Sequence, residues 1–250
     1  MRFDSKAVVV TGAGAGMGER TALEFADRGA DVTVVDVDGE AAASTAEVIE
    51  SETDARARSV TADVSDADDV AAFVDQTVEA FGSIDVLHNN AGIPQESTPV
   101  EDVSEATWDR IQDVNLKSAF LGSKYAVPHM REQGGGVILN TASTAAIRPR
   151  TGLSAYAASK GGMLTLTRQL AHELAEARIR VNAICPVATD TDMLPQFASD
   201  QLSVDGMAET IPLGRLAEPQ DIADAAVFLA SEKADMITGT ALEVDGGRDI

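Results

Sequence analysis

Ala7-Val8-Val9-Val10-Thr11-Gly12-Ala13-Gly14-Ala15-Gly16-Met17-Gly18 is an apolar run that breaks into a glycine-rich string, and residues 17–28 continue it with a helical period. A valine-rich run of this kind is the signature of a strand buried on both faces. Glycines let the chain turn tightly and let a pyrophosphate approach the backbone. There the N-terminus of the following helix presents free N–H groups and the positive end of its dipole. The placement between strand and helix carries this reading, and the absence of a Gly-Lys-Ser/Thr ending argues against a P-loop.

Further apolar runs at 32–36, 58–62, 84–89, 136–141, 179–184 and 240–244 alternate with helical patterns near 17–28, 40–51, 67–81, 105–132, 153–177 and 219–231. Near-continuous apolar strands separated by helices predict an α/β fold, a doubly wound parallel sheet of the Rossmann type. The 250 residues fit one domain spanning 1–250. One long connection without a clear pattern follows Pro186, and a connection of that length reads as a lid over a substrate, at about 187–217. Met193, Leu194, Phe197, Leu202, Val204 and Met207 give it an apolar side, which suits a hydrophobic substrate or ordinary helix packing.

Asp36 ends the second strand, 18 residues after Gly18. A carboxylate there accepts hydrogen bonds from both ribose hydroxyls of an adenosine and repels a 2′-phosphate, which favours NAD over NADP. The competing reading is a capping aspartate, since Asp38 follows closely. Tyr156 and Lys160 lie four residues apart, on one face of a helix, thirteen residues after Ser143. The ammonium is expected to stabilise a phenolate, so that Tyr156 trades protons with an alcohol near neutral pH.

Together these strings resemble the classical short-chain dehydrogenase/reductase family. Residues 11–18 are similar to its Thr-Gly-x-x-x-Gly-x-Gly, and Asn89-Asn90-Ala91-Gly92 to its Asn-Asn-Ala-Gly after the fourth strand. Ser143, Tyr156 and Lys160 match its catalytic set, with Asn115 as the fourth member, and Asp63-Val64 resembles its adenine-contacting pair. The resemblance covers essentially the whole chain in order. It implies strand order 3-2-1-4-5-6-7 and NAD held by Gly12, Gly14, Ala15, Gly16, Met17, Gly18, Asp36, Asp63, Val64, Asn90, Ala91, Gly92, Tyr156 and Lys160, with Pro186, Thr189 and Thr191 at the nicotinamide end. It also implies interconversion of a secondary alcohol and a ketone, and a homotetramer packed through the helices at 105–132 and 153–177. A 3-oxoacyl-thioester reductase and a sugar dehydrogenase use the same residues, and a nucleotide-binding regulator without catalysis is the rival from another class. Val187 stands where the family has glycine, and a β-branched residue does not readily take positive φ, so the backbone there is expected to run differently.

His88, His129 and His172 are scattered over different elements and read as structural or surface residues rather than metal ligands. Trp108, Ile111 and Val114 recur at helical spacing, as core or subunit contact. Arg148 and Arg150 read as surface or interface residues in preference to contacts for an anionic substrate. Cys185 is the single cysteine and reads as a small apolar filler.

The formal charge of −22, from 41 acidic against 19 basic residues, repels nucleic acid and anionic membranes. The start of the chain, Met1 to Lys6, has no apolar segment of a signal peptide, and the reading is cytoplasmic. Acids spread over every helix, with only five lysines, point to a protein working in concentrated salt; an ordinary acidic protein is the alternative. If the salt reading holds, melting temperature and the mass of the assembly should both rise from low to molar KCl, because screening removes carboxylate repulsion. An assembly equally stable at both ends sinks it.

Overall fold

In the computed structural model, which describes residues 1–197 and 203–250, β1 (Ala7–Thr11) is buried at every position. Burial on both faces requires a central place in a sheet covered on both sides. The chain supplies it by alternation: α1 (Gly16–Ala26), β2 (Asp31–Asp36), α2 (Gly39–Glu52), β3 (Ala57–Thr61), α3 (Ala67–Phe81), β4 (Val86–Asn89), α4 (Glu105–Gln112), α5 (Ser118–Glu132), β5 (Gly136–Thr141), α6 (Ser154–Leu174), β6 (Ile179–Pro186), α7 (Val204–Glu209), α8 (Pro219–Ala230) and β7 (Ala241–Val244). All seven strands are parallel, in the order β3-β2-β1-β4-β5-β6-β7, as the resemblance implied.

Side chains alternate across the strands and build two cores. Val8, Val10, Val32 and Val34 pack with Phe25 of α1, Ile49 of α2 and Val227 of α8 on one face. Val9 and Val35 pack with Phe73 of α3, Leu121 of α5 and Leu174 of α6 on the other. The edge strand β3 exposes Arg58 and Ser59, which blunts it against pairing with another chain. No described helix is long and apolar enough to cross a membrane.

The helical pattern at 105–132 resolves into α4 and α5 with a π-helical turn, Asp113–Lys117, between them. Such wide turns concentrate at functional positions, and this one carries Asn115. Trp108 on α4 is 42% exposed, whereas Ile111 and Val114 are buried, so the three residues divide between surface and core.

The connection from β6 to α8 has more structure than its sequence suggested. Its two ends are joined by a parallel bridge between Thr189 and Ala217, with Asp190 N–H donating to Ala217 O at 2.8 Å. Between them lie a 3₁₀ turn, Leu194–Phe197, and α7. Leu202 of the expected apolar side lies outside the described residues.

Candidate active site

The C-terminal ends of the strands are where an open parallel sheet presents its loops, and a crevice forms beside the strand at which the order reverses. Here a cavity of about 880 Å³ opens over β1, β4 and β5. The glycine string forms one wall. Gly12 and Gly16 take left-handed φ of 64° and 60°, and a Cβ on Gly18 would sit 2.0 Å from the Gly12 carbonyl oxygen, so no larger residue fits these turns. Asp38 and Asp66 cap α2 and α3 with their carboxylates, but Ala15 gives α1 no side-chain cap. The first N–H groups of α1 are therefore left for another acceptor, and the crevice at that helix end suits a pyrophosphate.

Asp36 is not the cap; Asp38 is. The Asp36 carboxylate accepts from Gly14 N–H at 2.9 Å and from Asp38 N–H at 3.0 Å, which fixes it at the cavity wall. Gly14 itself does not line the cavity and acts through this bond. Asp63 and Val64 lie beyond it. The Ser65 N–H and hydroxyl, helped by Arg110 at 3.4 Å, hold the Asp63 carboxyl below its ordinary range.

A buried chain of polar groups joins this wall to the opposite one. Thr11 Oγ1 accepts from Asn90 and Ala91 N–H at 3.0 and 3.1 Å, while the Asn90 amide donates to Thr11 O and Gly12 O. The Thr141 hydroxyl donates to Asn90 Oδ1 at 3.2 Å. His88 Nε2 lies 2.8 Å from that same hydroxyl, so the ring nitrogen must be the donor. His88 Nδ1 then has no proton and no partner, and burial pushes the imidazole down to about 3.

Thr141 also receives Lys160, whose Nζ donates to its carbonyl oxygen at 2.7 Å. Lys160 is 3% exposed, and desolvation lowers its ammonium to about 8. One of three N–H donors is thereby used. Tyr156, a turn earlier on α6, places its ring centroid 5.8 Å from Nζ. The expected acidification of Tyr156 by Lys160 is not what the geometry delivers. Burial raises the Tyr156 phenol, and the influences pulling it down are the Ser143 hydroxyl and the Arg150 guanidinium.

Ser143 follows β5 in extended backbone and accepts from Ala145 N–H through its hydroxyl, at 3.1 Å. Asn115 is fully buried and does not line the cavity. Its amide clamps Ile93, accepting from N–H at 2.7 Å and donating to O at 2.9 Å, and reaches Ser159 Oγ at 3.4 Å.

Pro186, Thr189 and Thr191 do line the cavity, as do Ala15, Met17, Ala91 and Gly92. Val187 keeps to the backbone that a β-branched residue takes. Ser5 and Arg178 are the only non-glycine residues with positive φ among the described residues, and Val187 packs in ordinary backbone against Ile211 and Ala217. From the β6–α8 connection Met193, Leu194, Phe197 and Met207 reach the cavity, and Phe197 meets the Tyr156 ring edge to face at 5.2 Å. Val204 does not line it.

Sequence reasoning missed Gln95, whose Oε1 accepts from Tyr156 N–H at 2.9 Å, and Arg248, which lines the cavity; neither sits in a recognisable string. It placed Arg150 on a surface, whereas that residue faces the cavity. Cys185 is fully buried with its thiol pushed up to about 12, in keeping with a filler.

A family model described as enoyl-(acyl carrier protein) reductase matches residues 12–249. Levodione reductase of Leifsonia aquatica is 38% identical over 99% of this chain and 95% of its own. Cis-4-hydroxycyclohexanecarboxylate dehydrogenase of Sinomonas cyclohexanicum is 39% identical over 98% of this chain and 97% of its own. The crystal structure of 3-ketoacyl-(acyl-carrier-protein) reductase from Brucella melitensis complexed with NADH superimposes with a TM-score of 0.93, at 43% identity, covering 99% of this chain and 100% of that one.

Burial of the Lys160 ammonium fixes a pH dependence. Its pKa is lower folded than unfolded, so between about 8 and the unfolded value of 10.5 the unfolded chain holds a proton that the folded chain has released. The lysine's penalty on folding is thus largest below that window and fades as pH rises through it, by up to about 1.4 kcal/mol per pH unit. Lys160→Met should be more stable than the cofactor-free wild type at pH 7, and its advantage should shrink by pH 10. Urea unfolding of both proteins across that range checks this; a constant difference contradicts it.

Proposed function

The chain belongs to the classical short-chain dehydrogenase/reductase family, and from that premise we propose that it is an NAD-dependent oxidoreductase interconverting a secondary alcohol and a ketone. The observation that carries this is one cavity lined at once by the glycine string, Asp36, Ser143, Tyr156 and Lys160. The residues fit the cofactor: turns too tight for any side chain, a helix end without a cap, and a buried ammonium with two donors unspent.

Asp36 would hold the adenosine ribose through its hydroxyls, Asp63 and Val64 the adenine side, and the glycine string with the α1 N-terminus the pyrophosphate. Asn90, Ala91 and Gly92 form the wall between, and Pro186, Thr189 and Thr191 face the carboxamide end. When bound, NAD supplies the acceptor or donor of the hydride equivalent. Ser143 orients the substrate oxygen by a hydrogen bond, and Tyr156 gives or takes its proton. The spare Lys160 donors hold a ribose hydroxyl, while the Ser143 hydroxyl and the Arg150 guanidinium lower the phenol from the raised value that burial imposes. Asn115 acts indirectly: its amide is spent on Ile93, so it keeps the turn at that residue open as a route for protons toward solvent.

Relatives acting on ring ketones and alcohols favour a cyclic substrate, and the apolar side chains of Leu194, Phe197 and Met207 suit one. The 3-oxoacyl-thioester alternative keeps its support from the Brucella melitensis neighbour. We assign residues 187–217 as the lid. We also assign a homotetramer, supported by Trp108 and Phe120, apolar side chains 42% and 49% exposed on α4 and α5.

Asp36→Ala should narrow the preference for NAD over NADP, since the repulsion of the 2′-phosphate goes with the carboxylate. Measuring kcat/KM for both cofactors tests this, and a wild type that prefers NADP refutes the assignment. Tyr156→Phe should lower turnover on the order of a hundredfold to ten-thousandfold with NAD affinity retained, whereas Lys160→Ala should impair both. Cofactor fluorescence titration beside turnover separates the two, and a Tyr156→Phe enzyme with near-normal rates means that another group moves the proton.

A further inference from the structure

The formal charge of the chain is −22, yet the catalytic end of the cavity is lined by cations. Arg150 lies beyond Ser143, and its Nη2 donates to Thr144 Oγ1 at 3.1 Å. Its guanidinium is otherwise without a hydrogen-bond acceptor among the described residues, and it lies close enough to Tyr156 for its charge to act on the phenol. Arg248, 9% exposed, lines the same cavity, and its guanidinium donates no hydrogen bond among the described residues. Burial, Arg150 and Arg148 lower its pKa, against the opposing pull of the Asp249 and Asp245 charges. Two guanidinium groups lining one cavity with most of their donors unspent are costly unless an anion joins them.

The chain supplies one carboxylate nearby, and it does not close the account. Asp249 Oδ1 lies 3.8 Å from Arg150 and 3.9 Å from Arg148, beyond hydrogen-bond reach, and both of its carboxylate oxygens are buried without a partner. Asp245 is spent on the Gly247 and Asp249 N–H groups. Tying down the C-terminal turn is the work of Arg148, which donates to the Arg248 carbonyl oxygen. Arg150 and Arg248 are left facing the space where a substrate must lie to reach Ser143 and Tyr156.

We infer that this enzyme selects substrates whose non-reacting end carries a carboxylate or an equivalent planar anion, gripped by Arg150 and Arg248. This rests on the oxidoreductase reading above for the identity of the cavity, and it adds the class of substrate. The guanidinium fork matches a carboxylate in geometry, and charge-assisted bonds of this kind are the strong ones. An alcohol bearing an acid on a ring or short chain fits; a neutral alcohol of the same shape leaves both forks unpaired.

The test compares binding of cyclohexanecarboxylate and cyclohexanecarboxamide by calorimetry, to wild-type protein with and without saturating NADH. The carboxylate should bind at least tenfold tighter than its neutral isostere. Arg150→Gln and Arg248→Gln should each bring that ratio toward one, and Arg150→Lys should retain part of it. Asp249→Asn should move the ratio the other way, upward, by removing a competing carboxylate; a merely structural role for Arg150 predicts no such gain. Its opposite sign keeps the question decidable if the glutamine variants fold poorly. Equal binding of the two probes, or a ratio indifferent to all four substitutions, overturns the inference. If NADH fails to bind while the carboxylate preference persists, the oxidoreductase reading falls and the anion site stands.

Discussion

A lysine ammonium removed from water and bonded to one backbone carbonyl is the constraint on which the site depends. Lys160 reaches that carbonyl, at the end of β5, only because α6 packs across the sheet with Leu174 and Ala171 in the core. The same threonine, through its hydroxyl, joins Asn90, and Asn90 joins Thr11 and the carbonyl of Gly12. One line of buried hydrogen bonds therefore runs from α6 across three strand ends to the glycine string. The parallel order of β1, β4 and β5 makes it possible, since it brings three C-terminal ends together. Buried networks of this kind are costly if any member is left unpaired, so they specify one arrangement.

Where the order of the fold is concerned, the sequence was close to sufficient. Valine-rich runs have one physical use at this spacing, and every strand appears within a few residues of its apolar run. The glycine positions were legible for a related reason: positive φ and the absence of room for a Cβ at Gly12 and Gly18 exclude every other residue. The π turn at Asn115 was not legible, because its residues satisfy the helical period and only the backbone bond from Ser118 N–H to Asp113 O, five residues back, shows the widening. Val187 was legible in one respect, since a β-branched residue does not readily take positive φ and none is found there.

Charge was the least legible property. Spacing along a helix puts Tyr156 and Lys160 on one face, but it does not say where the ammonium spends its hydrogen bonds. It is spent on Thr141, and burial then works against both groups, lowering the lysine and raising the tyrosine. Composition averaged over the chain likewise hid the cations that line the cavity. Arg150 and Arg248 are 98 residues apart in sequence, and only the return of the chain after β7 brings the second beside the first.

The departures from ordinary folding rules are not spread evenly. The uncapped start of α1 and the buried Lys160 line one cavity, and the unpartnered Nδ1 of His88 and Nε2 of Gln95 belong to side chains bonded to its lining residues Thr141 and Tyr156. Away from it, α2 and α3 carry aspartate caps and the two faces of the sheet are packed with apolar side chains. A buried unpartnered Arg20 Nε lies outside the cavity, but the larger departures gather at it, and their cost is balanced by the core around it. The uncapped helix end, the lysine and the arginines leave donors or charge facing inward, so on the proposed reading what completes the site brings acceptors: a dinucleotide at the glycine string, a substrate oxygen at Ser143 and Tyr156, and an anion at the arginines.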